Sequence, residues 1–247
     1  MSERIRQLEQ IGHATWPSLE DEWLNGWLLR AGGGVTRRSN SANPVDNVTD
    51  IGRQIEQTEA WFAERGLPVI VRLTEAADPG IDQRLEARGY EHDLGAIIMT
   101  RPTAGFASAG TQDVQLADRP SPRWMEAAAR EPGRGGAKRA VLEQLLDHIT
   151  LPATYAEVGG DEPEAIGLGV VVDNHLAVFM MRTEPPARRR GLATTITAAL
   201  AAWGSDQRAT EAVLQVHPEN APALALYGSL GFEKQYEYWY RQFPASG

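Results

Sequence analysis

The chain has 247 residues, 42% of them hydrophobic, no cysteine, and a formal net charge of −9. That length holds one large domain or two modest ones, each able to bury a core. Without thiols there are no disulfides, thiolate metal sites or covalent cysteine intermediates, and the acidic balance argues against a general nucleic-acid binder. The start, Met1-Ser2-Glu3-Arg4-Ile5-Arg6, is polar, and no later apolar run reaches the roughly 18 residues of a membrane span. A soluble cytoplasmic protein is expected, with neither a membrane nor a nucleic acid as partner.

Trp23 and Trp27 open the first half, followed by the polar run Thr36-Arg37-Arg38-Ser39-Asn40-Ser41. This run reads as a hairpin that either shapes a pocket between halves or fixes their interface, and the second reading is preferred. A helical pattern spans Ile51 to Arg65, and Leu67 to Leu73 is strand-like. Residues 101–112 are small, polar and turn-rich, which predicts a linker. A strand then starts at Asp113, helices are expected over Pro122–Arg130 and Ala137–Ile149, and Gly133 to Gly136 breaks the pattern between them. Strands are predicted at Ala153–Val158, Ala165–Val172 and Leu176–Arg182, with Asp173-Asn174 as a tight hairpin turn. Beyond Gly191, a helix places Leu192, Ile196, Ala199, Leu200 and Trp203 on one face, a core stripe. A strand over 210–216 and a last strand over Tyr236–Arg241 complete the half.

The two halves share a rhythm. Pro44 and Pro186 stand 142 positions apart, as do Gly89-Tyr90 and Gly231-Phe232. Each half therefore reads as hairpin, helix, strand, helix, strand, a degenerate tandem repeat.

The chemistry concentrates in two stretches. Arg188-Arg189-Arg190-Gly191-Leu192-Ala193 is a turn that opens a helix. Its glycine lets backbone N–H groups approach an anion, the helix start adds its positive dipole end, and the arginines raise the local potential. Downstream stand Asn220, Ala223, Leu226-Tyr227 and Gly231-Phe232. Together these stretches resemble the acyl-CoA site of the GNAT superfamily of N-acetyltransferases. The loop pattern is Gln/Arg-x-x-Gly-x-Gly/Ala, followed by Asn, Ala, Leu-Tyr and Gly-Phe.

The resemblance implies an α/β fold with a mixed sheet, built as two tandem GNAT-like lobes. Residues 1–100 would form a degenerate, truncated lobe, 101–112 a linker, and 113–247 a complete acetyltransferase domain. At the 142-residue offset the first half has Leu85 opposite Tyr227 and Asp78 opposite Asn220, and no glycine near Asp46 to Thr49. It therefore lacks the parts of an acyl-CoA site and is expected to be structural or substrate-shaping. Tandem relatives also carry a tryptophan-rich start and an Arg-x-Asn-Ser run like Arg38 to Ser41.

By the same resemblance, the backbone N–H groups of Arg188, Arg189, Arg190, Gly191, Leu192, Ala193 and Thr194 hold the pyrophosphate of acetyl-CoA. Met181 and Thr183 contact pantetheine from a splayed strand, and Tyr227 gives a proton or hydrogen bond to the leaving sulfur. Asn220 is expected to cap the following helix and is a candidate for the pantetheine arm. The general base stays open. Relatives that acetylate protein N-termini have a glutamate twelve residues before the tyrosine, and here that position is Gln215. Glu157, His217 and a water chain to bulk are the candidates. No metal is expected. The implied reaction is direct acetyl transfer to a primary amine, on a small molecule or peptide, by a monomer or homodimer. A non-catalytic acyl-CoA-binding regulator and a protein lysine or N-terminal acetyltransferase are the rival readings.

Overall fold

The computed structural model describes residues 3–106, 113–131 and 135–243. The first half runs α1 (Glu3–Thr15), β1 (Glu20–Leu24), β2 (Trp27–Ala31), β3 (Ala42–Pro44), α2 (Ile51–Glu64), β4 (Ile70–Thr74), α3 (Pro79–Ala87) and β5 (Glu91–Pro102). The second runs β6 (Gln115–Ala117), α4 (Pro122–Ala129), α5 (Ala137–Asp147), β7 (Ala153–Val158), β8 (Ala165–Val172), β9 (His175–Thr183), α6 (Leu192–Asp206), β10 (Glu211–Val216), α7 (Ala221–Ser229) and β11 (Glu233–Gln242).

Local chemistry accounts for the boundaries. Asp50, Asp78, Ser121 and Asn220 each cap a helix by accepting a backbone N–H. Proline sits in the first turn of α3, α4 and α7, where its missing N–H costs no hydrogen bond. Asp173 adopts a left-handed φ of 50° in the two-residue turn between β8 and β9. The helix α1 went unread in the sequence. It buries Ile5, Leu8, Ile11 and Thr15 along one face.

Among the described residues, eleven strands form one mixed sheet, in the order β1-β2-β3-β4-β11-β5-β10-β9-β8-β7-β6. Only β3–β4 and β9–β10 are parallel among the described pairs. The last strand crosses into the first half and lies antiparallel between β4 and β5. There β5 and β11 approach closely. A Cβ on Gly95 would sit 2.1 Å from the carbonyl oxygen of Tyr238, so only glycine fits. The helix α3 and the strand β5 recur as α7 and the strand β11 at the 142-residue offset seen in the sequence.

Arg101 and Pro102, expected to begin a linker, instead end β5. Thr103 follows them into place, donating its N–H to Thr210 O at 3.0 Å and its hydroxyl to Ala209 O at 2.7 Å. Of the expected linker, 107–112 lie outside the described residues, as do Gly133 and its neighbours 132 and 134 in the expected break.

Four apolar clusters pack against this sheet. The α2 and α3 residues Ile55, Phe62, Ile81 and Leu85 cover the first half. Ile196, Leu200 and Tyr227 pack on one side of the second half, and Trp124, Leu142 and Leu146 on the other. The α1 helix covers the middle, where Tyr236, Tyr238 and Tyr240 are buried with Ile5, Leu8 and Ile11. Those alternating tyrosines therefore belong to the core. Among the described residues, no helix is long and apolar enough to cross a membrane.

Candidate active site

The parallel pair β9–β10 starts together and then parts. Their register runs from Glu211↔His175 to Leu214↔Val178 and stops there. Beyond it, Gln215 and Val216 pair with β5, while β9 continues along β8 to Thr183. The parting coincides with a bulge in β9, where Met180 takes a φ of 55° and the β8 register shifts. Gly167 lies opposite, because a Cβ there would come within 2.7 Å of both Ile196 and Met181.

The gap between the strands is a cleft of about 200 Å³. Met181, Gln215, His217, Asn220, Tyr227 and Arg38 are among its lining residues. Tyr227 projects from α7, buried, with its ring 5.6 Å from that of Phe232 in an edge contact. Burial pushes its phenol up to about 12. Asn220 caps α7, accepting from Ala223 N at 3.2 Å. His217 stands at the half-exposed margin, its Nδ1 accepting from Glu219 N at 3.3 Å.

Beyond Thr183, the chain enters the arginine loop. Gly191 caps α6 in the left-handed region, at φ 80°, and Arg189 is left-handed at 64°. Thr195 N makes the first helical bond, to Gly191 O at 3.0 Å, so the amides of Leu192, Ala193 and Thr194 precede the ladder. Among the described residues, and apart from its chain neighbours and its own helix backbone, no atom lies within 4 Å of where a Cβ on Gly191 would stand. The glycine is demanded by its φ, and the space before it is open.

The arginines differ in their engagement. Arg188 donates Nε–H to Thr183 O at 3.3 Å, and Arg190 pairs with Glu164 at 2.5 Å. Arg190's charge is therefore partly offset. Thr183 is tied to this contact and to its β8 partner Ala165, and does not line the cleft.

Glu157 needs correction as a candidate base. It is buried on β7, where one oxygen pairs with Arg123 at 2.6 Å and the other accepts from Ser121 at 2.8 Å. Both oxygens are engaged and the residue does not line the cleft. A buried carboxylate paired this way serves the fold. Two lining residues were missed, Glu131 and Arg182, which bond to each other at 2.9 Å. The place of Arg182 directly after Met181 on the splayed strand was the available signal.

The run Thr36 to Ser41, expected as a hairpin, instead forms a 3-10 turn over Arg37–Ser39 that Thr36 caps. Trp16 donates its indole N–H to Ser39 at 2.9 Å and to Thr36 at 3.1 Å, and its ring lies 5.2 Å from Phe179 of β9. The same run also sends Arg38 into the cleft.

Residues 2–241 match the family model described as "Probable histone acetyltransferase Rv0428c C-terminal". The chain is 26% identical over 242 residues to the uncharacterized N-acetyltransferase YobR of Bacillus subtilis, covering 96% of this chain and 98% of that one. It is 29% identical over 244 residues to the probable histone acetyltransferase Rv0428c of Mycobacterium tuberculosis, covering 92% and 70%. Its fold is similar to a GCN5-related N-acetyltransferase from Kribbella flavida, with a TM-score of 0.69 at 19% identity over 98% of this chain and 95% of that one. A tandem GNAT protein from the clavulanic acid biosynthesis pathway superposes with a TM-score of 0.63 at 12% identity, over 97% and 89%. The chain belongs to the Rv0428c C-terminal acetyltransferase family and is a GNAT-type N-acetyltransferase.

Proposed function

We propose that the protein transfers an acetyl group from acetyl-CoA to the primary amine of a small acceptor, within a ternary complex. The observation that carries this reading is the cleft opened between β9 and β10, with Tyr227 on its wall and the unpaired amides of α6 beyond its end. The residues fit the donor. The amides of Leu192, Ala193 and Thr194, with Arg188 and Arg189 beside them, suit a pyrophosphate. Met181 and Asn220 line the path a pantetheine arm would follow. Acetyl-CoA supplies an activated thioester.

Tyr227 then serves the leaving sulfur. A phenol near 12 is too weak to hand its proton fully to an alkyl thiolate. It acts best as a hydrogen-bond donor that stabilises charge growing on sulfur. His217 remains the basic side chain at the cleft mouth, and a water chain past it can carry the amine's proton to bulk. Gln215 cannot accept that proton, which disfavours the mechanism of protein N-terminal acetylation. On this reading the first half, through β5, is a degenerate lobe that no longer binds a donor, and the second carries the chemistry.

The test is calorimetric titration with acetyl-CoA. One site per chain is expected, and Gly191→Asp should weaken it at least tenfold by adding bulk, charge and a strained φ. Two sites, or undiminished affinity in the variant, would defeat the assignment.

A further inference from the structure

We infer that the acceptor carries a carboxylate beside its amine, as a free amino acid does, and that Arg38 binds this carboxylate. The inference rests on the acetyl-transfer reading above and extends it to the substrate class.

Arg38 stands apart from the other buried or half-buried arginines. Arg37, its neighbour, is paired with Asp93 at 2.5 Å and with Leu94 O at 2.9 Å. Arg30 pairs with Asp21 at 3.0 Å, and Arg182 is held by Glu131 and Glu184. Among the described residues, no carboxylate reaches Arg38 and no carbonyl or side chain accepts a hydrogen bond from its guanidinium. Its contacts are aromatic. The guanidinium carbon lies 4.7 Å from the ring centroid of Trp16 and 5.2 Å from that of Phe179. Cation–π contact fixes the plane but leaves the N–H edges unspent.

Those edges belong to a residue that lines the cleft of Tyr227 and Gln215. A planar fork of N–H donors matches a carboxylate in two parallel bonds, which an ammonium could not offer. Holding such a cation in a part-desolvated cleft without a partner is unfavourable, and a bound anion relieves this. The anion is not expected to be a phosphate of the donor. Phe179, which Arg38 faces, lies four residues before Thr183 on β9, so roughly 13 Å of strand separates it from the arginine loop. Arg38 is supplied by the half that lacks donor-binding parts, which gives that half a role in the reaction.

The experiment follows thiol release from acetyl-CoA with each standard L-amino acid beside its carboxamide. At least one amino acid should be acetylated with kcat/KM tenfold or more above its amide. Arg38→Gln should remove that preference by lowering the carboxylate rate at least tenfold, with acetyl-CoA affinity held within twofold, and Arg38→Lys should restore part of it. If Arg38→Gln does not fold, the wild-type ratio of acid to amide decides alone. The inference is overturned if amides are used as well as acids, if no amino acid is acetylated by protein that binds acetyl-CoA, or if Arg38→Gln weakens acetyl-CoA tenfold, which would give Arg38 to the donor. Failure of the wild type to bind acetyl-CoA would instead overturn the acetyl-transfer reading, and this inference with it.

Discussion

Tyr238 donates its phenolic O–H to Oε1 of Gln215 at 2.8 Å. The bond joins the strand that crosses into the first half to a residue on the wall of the cleft. Here Gln215 is a fixed part of the wall, oriented from behind by the core.

Tyr227→Phe should lower kcat by about 100-fold while acetyl-CoA affinity stays within twofold. The phenol is pushed up to about 12 by burial, so it stays protonated across the working range. The wild-type pH–rate profile should therefore have no alkaline limb below about pH 10 that disappears in the variant. Unchanged turnover in Tyr227→Phe would remove the tyrosine from the chemistry.

Glu9→Ala should destabilise the fold by about 3–5 kcal/mol, read from urea denaturation. Glu9, on α1, binds the buried Arg72 of β4 and accepts from the Tyr236 phenol of β11. Its loss leaves a buried guanidinium without an anion and uncouples α1 from two strands. A change below about 1 kcal/mol would mean that water replaces the carboxylate.

Acid should destabilise the protein through His13. Burial, followed by the charges of Arg30 and Arg72, holds its pKa well below the usual histidine range, and its Nε2 has no hydrogen-bond partner among the described residues. The folded state keeps His13 neutral, whereas the unfolded chain takes up a proton near pH 6.5. Folding stability is thus retained above about pH 6.5 and declines below it. Burial likewise lowers His175, which adds to the loss. The melting temperature should fall between pH 7 and pH 5, and His13→Asn should flatten that slope. An equal slope in the variant would place the acid sensitivity elsewhere.

The sequence carried the local structure further than the long-range arrangement. The bounds of β7 and β8 follow from apolar, β-branched runs, and α4 and α7 are announced by a cap followed by proline. The glycine of the arginine loop was also readable, because a helix start with φ above zero has few alternatives. The amphipathic face of α1 was present in the sequence but overlooked among its charges. Glu157 was misplaced for a different reason. A carboxylate near a strand end looks alike whether it faces a cleft or an arginine, and Arg123 comes from a separate element. The same limit hid the place of Arg38 and the insertion of β11, since both depend on residues far apart in the chain.

That insertion bears on how the molecule comes to be folded. Arg241 hydrogen-bonds to Tyr90 and Asp82, partners 151 and 159 positions earlier, and Trp239 reaches Asp82 across 157. While the chain is being synthesised, β4 and β5 must therefore wait, with facing edges unpaired, until the last strand emerges. Such separations imply slow folding. They also tie the two halves together, so a chain stopped before β11 loses the strand that joins β4 to β5.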